Sequence, residues 1–119
     1  MRWLLVALGG AVGATARYGV GLLAARWPGV PLGTWAANAA GCLLIGLALP
    51  LVRGDDARLA VLVGVLGSFT TFSTYSADTV LLWEAGRPGW AVANALGSVA
   101  VGAACVLAGL ALGRSLAAG

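Results

Sequence analysis

Histidine is absent from the 119-residue sequence, which also contains only two cysteines and four acidic residues. Hydrolytic active sites and transition-metal sites are built largely from these residue types. Cys42 and Cys105 both lie inside apolar runs, where a role as small hydrophobic residues is favoured over a disulfide or a metal site. The composition therefore predicts that the protein is not an enzyme.

Charge is scarce as well. Charged residues make up 9% of the chain and hydrophobic residues 61%, whereas a soluble domain carries about 25% charged residues. A chain with so few charges cannot cover a surface that faces water, so we predict an integral membrane protein in a lipid bilayer. The net charge of +3 comes from seven scattered arginines, which form no basic cluster and predict no nucleic-acid partner.

Four apolar runs are each long enough for a transmembrane helix of about 20 residues. We predict an all-α fold in which residues 1–119 form a single membrane domain, with helices over about 3–25, 34–52, 59–84 and 90–113. The five tryptophans, at 3, 27, 35, 83 and 90, fall near the predicted helix ends, as in membrane aromatic belts. Four short helices enclose little volume, so an oligomer is expected.

The start of the first run also fits a signal peptide, with Ala14-Thr15-Ala16 as its cleavage site. Apolar character resumes beyond Arg17, however, which favours a retained helix. Small residues recur at i, i+4 in the helices, and such faces allow close helix contact. The pairs are Gly9/Gly13, Ala37/Gly41 and Gly109/Gly113.

A hydroxyl-rich stretch interrupts the third run, from Gly67 to Ser76. We predict that the helix breaks near 67–72, because the stretch opens with a glycine and then carries six serine and threonine hydroxyls beside aromatic rings. Irregular backbone at this depth must face protein or a wet cavity, and broken helices form ion sites in membrane transport proteins. The alternative is that the hydroxyls bond back to their own helix and Gly67 only allows close packing.

Further polar residues surround this stretch. Thr34 is predicted to cap the second helix, with Asn38 one turn later as either a pathway residue or a structural hydrogen-bonding residue. Arg17 either extends to the membrane interface or attracts anions in an aqueous vestibule. In the third helix Thr71, Thr74 and Asp78 share a polar face, and Phe72 and Tyr75 share an adjacent one; in the fourth, Asn94 and Ser98 share a face at i, i+4.

The arginines are almost balanced across the four predicted crossings. Arg2, Arg53, Arg58 and Arg114 fall on one side, and Arg26 and Arg87 on the other, with Arg17 nearer the second side. The positive-inside rule weakly favours cytoplasmic termini. So small a bias allows insertion in both orientations, and hence an antiparallel dimer.

Four motifs resemble those of one family, the CrcB (Fluc) fluoride channels of microbes. They are Gly13-Ala14-x-x-Arg17-Tyr18, Gly33-Thr34-x-x-x-Asn38-x-x-Gly41, Gly67-x-x-Thr70-Thr71-Phe72-Ser73-Thr74 and Asn94-x-x-x-Ser98. The resemblance implies a dual-topology antiparallel homodimer with two fluoride pores. It also implies a structural Na⁺ at the dimer centre, held by the backbone carbonyls of Gly67 and Thr70 from both subunits.

The same resemblance implies the pore residues. Phe72 matches the first of two pore phenylalanines, whereas Tyr75 stands where many members have the second. Asn38 matches the pore asparagine, and Asp78 stands where the family often has glutamate. Ser73, Thr74 and Ser98 match parts of a hydroxyl track, and Thr34 matches it more weakly.

The implied function is passive export of cytoplasmic fluoride across the inner membrane, giving fluoride resistance. One alternative is a small proton-coupled multidrug exporter, which needs a membrane-embedded carboxylate, whereas the four acids here lie near predicted helix ends. A second alternative is a non-transporting assembly protein. It would explain the small-residue faces but not the hydroxyl stretch.

Overall fold

The computed structural model describes all residues from 1 to 119 and consists of helices joined by short turns. The helices are α1 (Arg2–Ala24), α2 (Leu32–Leu51), α3 (residues 55–69), α4 (Phe72–Glu84) and α5 (Pro88–Ala118). α3 and α4 together form the third span. Four segments are long and apolar enough to cross a membrane, which confirms the predicted all-α fold with four membrane-spanning helices.

Apolar side chains cover the outside of the protein. Only 12 of the 119 residues are buried, and large residues such as Leu8, Leu22, Leu107 and Leu116 are more than half exposed. The long axis measures 48 Å, close to the 40–45 Å of a bilayer with its headgroups. An apolar surface of this extent and height suits lipid, and the chain is a multi-pass membrane protein.

α1 packs along α3 through backbone contact at two glycines. A methyl group at Gly9 would lie 2.4 Å from the carbonyl oxygen of Ala60, and one at Gly13 only 2.0 Å from that of Val65. Any larger side chain would therefore separate the two helices. The small-residue face predicted for the first helix is confirmed.

α2 and α5 pack together in the same manner. A Cβ at Gly109 would lie 2.2 Å from the carbonyl oxygen of Leu43, and one at Gly46 would lie 2.4 Å from that of Val106. At Gly113 the nearest atom would be 2.5 Å away. These contacts confirm the predicted face at positions 109 and 113 and hold α2 and α5 together as a second helix pair.

The predicted helix starts need correction. α2 begins at Leu32, because Pro31 lies at the N-cap and its carbonyl accepts the first helical hydrogen bond from Trp35 N–H at 3.0 Å. Thr34 is therefore not the N-cap. α3 begins at Asp55, since two aspartates in a first turn favour the positive end of the helix dipole, and α5 begins at Pro88, a favoured residue in a first turn.

The break in the third span is narrower than predicted. Gly67 is helical, with φ −63°, and Thr70 is the first residue with extended backbone, at ψ 157°. Thr71 is also extended and caps α4, because its Oγ1 accepts a hydrogen bond from Thr74 N–H at 3.2 Å. The interruption therefore lies at two β-branched residues, which favour extended backbone, and not at the glycine.

Candidate functional site

Asn38, in the neighbouring helix α2, forms hydrogen bonds to the backbone of the break. Its Oδ1 accepts a hydrogen bond from Thr71 N–H at 2.8 Å, and its Nδ2 donates to the Thr71 carbonyl at 3.0 Å. The side-chain amide thus pairs with both polar groups of one unwound residue. Because a buried peptide group without a partner is costly, this pairing stabilises the break in a lipid-embedded segment.

Gly41, one turn further along α2, allows the break in the third span to lie close to α2. A Cβ at this position would lie 2.1 Å from the Thr70 side chain, and Gly41 itself is buried. The predicted small-residue face at positions 37 and 41 is confirmed, with Ala37 only 1% exposed. The close approach places the Asn38 amide within hydrogen-bonding distance of Thr71.

Two backbone carbonyls lose their usual helical partners at the break. The Gly67 carbonyl would normally accept from Thr71 N–H, but that amide donates to Asn38. The Thr70 carbonyl would normally accept from Thr74 N–H, but that amide donates to the Thr71 hydroxyl. These two oxygens, which the family resemblance implies as sodium ligands, are therefore free of these intrahelical hydrogen bonds.

Arg17, in α1, contacts the last turn of α3, just before the break. Its Nε donates to the Ser68 carbonyl at 3.1 Å, and its side chain is half-buried. A cation near the last carbonyls of a helix is favourable for the helix dipole, so Arg17 stabilises the C-terminal end of α3. It does not extend freely to the membrane interface, which was one of the two roles considered for it.

A cavity of about 710 Å³ opens beside Arg17. The predicted residues that line it are Arg17, Thr34, Thr71, Thr74 and Asp78. Thr34 Oγ1 donates to Asp78 Oδ2 at 2.7 Å, which explains why this hydroxyl is not a helix cap. The cavity therefore has one cationic and one anionic side chain on its wall, with hydroxyls between them.

A second cavity, of about 430 Å³, lies on the other side of the break. The predicted residues that line it are Asn38, Gly67, Thr70, Thr71, Phe72, Tyr75 and Ser98. Thr71 lines both cavities, so the segment held by Asn38 forms the wall between them. Ser73 is exposed and outside both linings, with its hydroxyl 3.4 Å from that of Thr71.

The hydroxyls of the stretch divide into two kinds. Thr70 and Ser76 donate to carbonyls of their own segment, Leu66 and Phe72, each at 3.0 Å. These two hydroxyls bond back to carbonyls of the preceding helical turn, as the alternative interpretation of the stretch predicted. Thr71 instead donates to Thr74 Oγ1 at 3.0 Å, so these two form a hydroxyl pair on the wall of the first cavity.

The Phe72 and Tyr75 rings differ in their surroundings. Phe72 is 78% exposed, and its ring centroid lies 5.5 Å from that of Tyr75 at an interplanar angle of 42°. The Tyr75 hydroxyl donates to the Ala95 carbonyl in α5 at 2.8 Å. The Tyr75 hydroxyl therefore ties its ring to α5, whereas Phe72 projects from the surface beside the second cavity.

Asn94 was noted in the sequence only for the helix face and the motif that it shares with Ser98, yet it lies at the centre of the polar network. It is 0% exposed and accepts a hydrogen bond from the Trp35 indole N–H of α2. Its i, i+4 pairing with Ser98 was the available sequence signal. Nothing in the local pattern identified the partners, because they belong to other helices.

The sequence is similar to known proteins over most of its length. Residues 4–110 match the family model described as "CrcB-like protein, Camphor Resistance (CrcB)". The "Fluoride-specific ion channel FluC" of Paracoccus denitrificans is 50% identical over 118 residues, covering 96% of this chain and 95% of that protein. Proteins with the same name from Agrobacterium fabrum and Thermus thermophilus are 47% and 45% identical, covering 94% and 97% of this chain and 95% and 97% of their own lengths.

These relatives are named as ion channels, in agreement with the prediction that the protein is not an enzyme. The family match spans all four membrane-crossing segments and includes the break and both cavities. The chain belongs to the CrcB family.

Proposed function

We propose that the protein is a fluoride-selective channel whose ion pathway runs along the two cavities and past the break. The observation that carries this proposal is the pairing of Asn38 with Thr71 between cavities of about 710 and 430 Å³. The relatives named as fluoride-specific channels support the choice of ion.

The polar groups along this path suit a small, strongly hydrated anion. Such an ion needs several hydrogen-bond donors at once, and hydroxyls and amides supply them. Conduction also requires that the ion can leave, so a fixed cation at the narrowest point would be unfavourable. The nearest cation, Arg17, is bonded to the Ser68 carbonyl at the edge of the first cavity, where it can attract anions without holding them at the break.

Export through such a channel is passive. An inside-negative membrane potential drives an anion outward by about 2.3 kcal/mol per 100 mV. The sequence contains no phosphate-binding loop of the type that ATPases use. We place the protein in the inner membrane, where this drive would lower cytoplasmic fluoride and give fluoride resistance.

The functional unit in this proposal is an antiparallel homodimer with two pores. Phe72 is 78% exposed beside a cavity that also contains Gly67 and Thr70, and a second copy would cover this face. The near balance of arginines permits both orientations. Topology reporters fused at Gly119 should report both sides of the membrane, and a single orientation would rule out the dual-topology arrangement.

The freed carbonyls of Gly67 and Thr70 fit a sodium site. Gly67 lies in the last helical turn before the break and Thr70 in the break itself, and backbone oxygens at such an interruption coordinate Na⁺ in broken-helix proteins. Two copies of the chain would supply four such oxygens. When bound, the ion would neutralise the carbonyl dipoles that meet at the centre of the dimer.

Replacing Na⁺ by N-methylglucamine should lower the melting temperature of the purified dimer. The expected reason is that four facing carbonyl oxygens repel one another without a cation between them. The measurement is differential scanning fluorimetry in detergent, with K⁺ as a second comparison. Equal melting temperatures with Na⁺ and with N-methylglucamine would contradict the sodium site.

Fluoride efflux from proteoliposomes tests the channel itself. A fluoride electrode should record rapid release once a potassium ionophore allows charge to balance, and chloride release should be far slower. Proton-coupled movement of an organic cation would instead support the exporter alternative. No transport of either kind would support the assembly alternative.

Phe72→Ala should reduce fluoride flux at least about tenfold and leave the dimer intact. The ring lines the second cavity with its centroid 5.5 Å from that of Tyr75, and positive ring edges can flank an anion. Flux in proteoliposomes and size-exclusion chromatography check the two parts. Leu8→Ala is a matched control, since Leu8 is also largely exposed but lies outside both cavities. Loss of the dimer in Phe72→Ala would make Phe72 a packing residue.

A further inference from the structure

We propose that Asn94 is a positioning residue that controls where Ser98 directs its hydroxyl proton. With the pathway empty, Asn94 accepts this proton, and when an anion passes, Ser98 turns the proton toward it. This inference rests on the proposed function and deepens it, because it concerns one donor along the same path.

Asn94 is the one buried polar side chain of the protein, and all its hydrogen-bonding groups are used. Its Nδ2 donates to Thr79 Oγ1 at 2.7 Å and to the Tyr75 carbonyl at 3.2 Å. Its Oδ1 accepts from the Trp35 indole N–H and from Ser98 Oγ at 3.2 Å. One amide thus links α2, α4 and α5.

The direction of each hydrogen bond follows from chemistry. An indole N–H can only donate and a peptide carbonyl can only accept. The oxygen of Asn94 must therefore face Trp35, and its nitrogen must face the Tyr75 carbonyl. Since Ser98 Oγ approaches the oxygen side, the Ser98 hydroxyl is the donor in that contact.

This arrangement affects the ion pathway because Ser98 lines the second cavity. A serine hydroxyl has a single proton, and here it points at Asn94. Only lone pairs then face the cavity, and these repel an anion. Ser98 must rotate its proton away from Asn94 before it can donate to fluoride.

The rotation does not leave Asn94 Oδ1 unpaired, because this oxygen has a second donor. A buried acceptor without any partner is strongly destabilised, but the Trp35 indole N–H stays in place when Ser98 turns. The Trp35 ring is held independently, stacked on Trp90 with centroids 5.9 Å apart. Because Trp35 keeps Asn94 Oδ1 paired, Ser98 can break its hydrogen bond to Asn94 and form it again.

A double-mutant cycle between Trp35 and Ser98 tests this coupling. Trp35→Phe keeps a ring against Trp90 but removes the second donor to Asn94 Oδ1. The hydrogen bond from Ser98 to Asn94 should then be harder to break, and fluoride flux should fall three- to tenfold. Ser98→Ala should also lower flux. In the Ser98→Ala background, Trp35→Phe should cause no further loss, because no hydroxyl remains to be held.

The matched control for serine removal is Ser115→Ala, an exposed position on the same helix, which should leave flux unchanged. If Trp35→Phe lowers flux by the same factor with and without Ser98, Trp35 acts only through packing and the proposal is wrong. If Trp35→Phe fails to fold, the measurement below decides.

The indole N–H resonance of Trp35 gives a readout that does not depend on flux. In ¹⁵N-labelled wild-type protein, fluoride should shift this resonance downfield, because the hydrogen bond to Asn94 strengthens when Ser98 turns away. Chloride should not shift it, and neither should fluoride in Ser98→Ala. A missing shift in the wild type, or the same shift in Ser98→Ala, would overturn the proposal. Absence of flux from wild-type liposomes would reject the proposed channel instead.

Discussion

Asn38→Asp is expected to abolish fluoride flux, with a loss of at least about 100-fold, or about 2.7 kcal/mol in the barrier. In the native protein the Asn38 amide donates to the Thr71 carbonyl and accepts from Thr71 N–H. A carboxylate has no proton to donate, so two oxygens would face each other at the carbonyl side. Its negative charge would also lie between the two cavities, where it repels an anion.

Flux in proteoliposomes is the measurement, with Asn38→Leu as the matched variant. Leucine has a similar shape and removes both hydrogen bonds without adding charge. A smaller loss in Asn38→Leu than in Asn38→Asp would attribute the difference to charge, and an equal loss would attribute it to the pairing with Thr71. Both proteins should elute as the wild type does in size-exclusion chromatography. Normal flux in Asn38→Asp would remove Asn38 from the pathway.

Gly13→Ala is expected to destabilise the fold severely, by about 3 kcal/mol or more. The added methyl carbon would lie 2.0 Å from the Val65 carbonyl oxygen and 3.0 Å from the Phe69 amide nitrogen. Both atoms belong to backbone, so no side chain can rotate aside, and α1 must separate from α3. Forcing extra volume into a packed interface typically costs 1–3 kcal/mol, and a clash between backbones falls at the upper end of that range.

Gly19→Ala is the matched control in the same helix. A methyl group there would meet nothing within 4 Å, and alanine is about 1 kcal/mol more favourable than glycine inside a helix. Thermal melting in detergent should therefore show a large drop for Gly13→Ala and no drop for Gly19→Ala. Equal melting temperatures for the two variants would mean that α1 and α3 are not held at the spacing described.

Gly13→Ala should also affect the break, through Arg17. Gly13 lies one turn before Arg17, whose guanidinium bonds the Ser68 carbonyl at 3.1 Å. Displacing α1 would move Arg17 away from the end of α3. A partly folded Gly13→Ala protein should therefore lose flux even at temperatures below its melting transition.

Much of the architecture could be predicted because it depends on local pattern. Hydropathy marks a membrane span within about 20 consecutive residues, and glycines at i, i+4 mark a helix face without knowledge of the partner. Gly9, Gly13 and Gly109 were identified in this way, and each meets backbone of another helix. The hydroxyl-rich stretch was found as readily, since six hydroxyls in an apolar run are visible in the sequence alone.

The exact location of the break could not be predicted. Gly67 has the lowest helix propensity of the stretch, yet it is helical and the chain unwinds at Thr70 and Thr71. The reason is Asn38, which is 33 residues away in sequence and supplies both hydrogen bonds that Thr71 loses. Thr34 shows the same effect, since its hydroxyl bonds Asp78 and not the start of its own helix.

The sequence by itself determined the membrane class, the four spans, the glycine contact faces and the polar stretch, because each follows from residues close together in the chain. Only the tertiary structure decided which peptide groups come free, which hydroxyls face a cavity and where Ser98 directs its proton. Those outcomes depend on which donor meets which acceptor across helices. Asn38 with Thr71 and Asn94 with Trp35 are such pairs, separated by 33 and 59 residues, and a buried polar group takes the partner that packing brings to it.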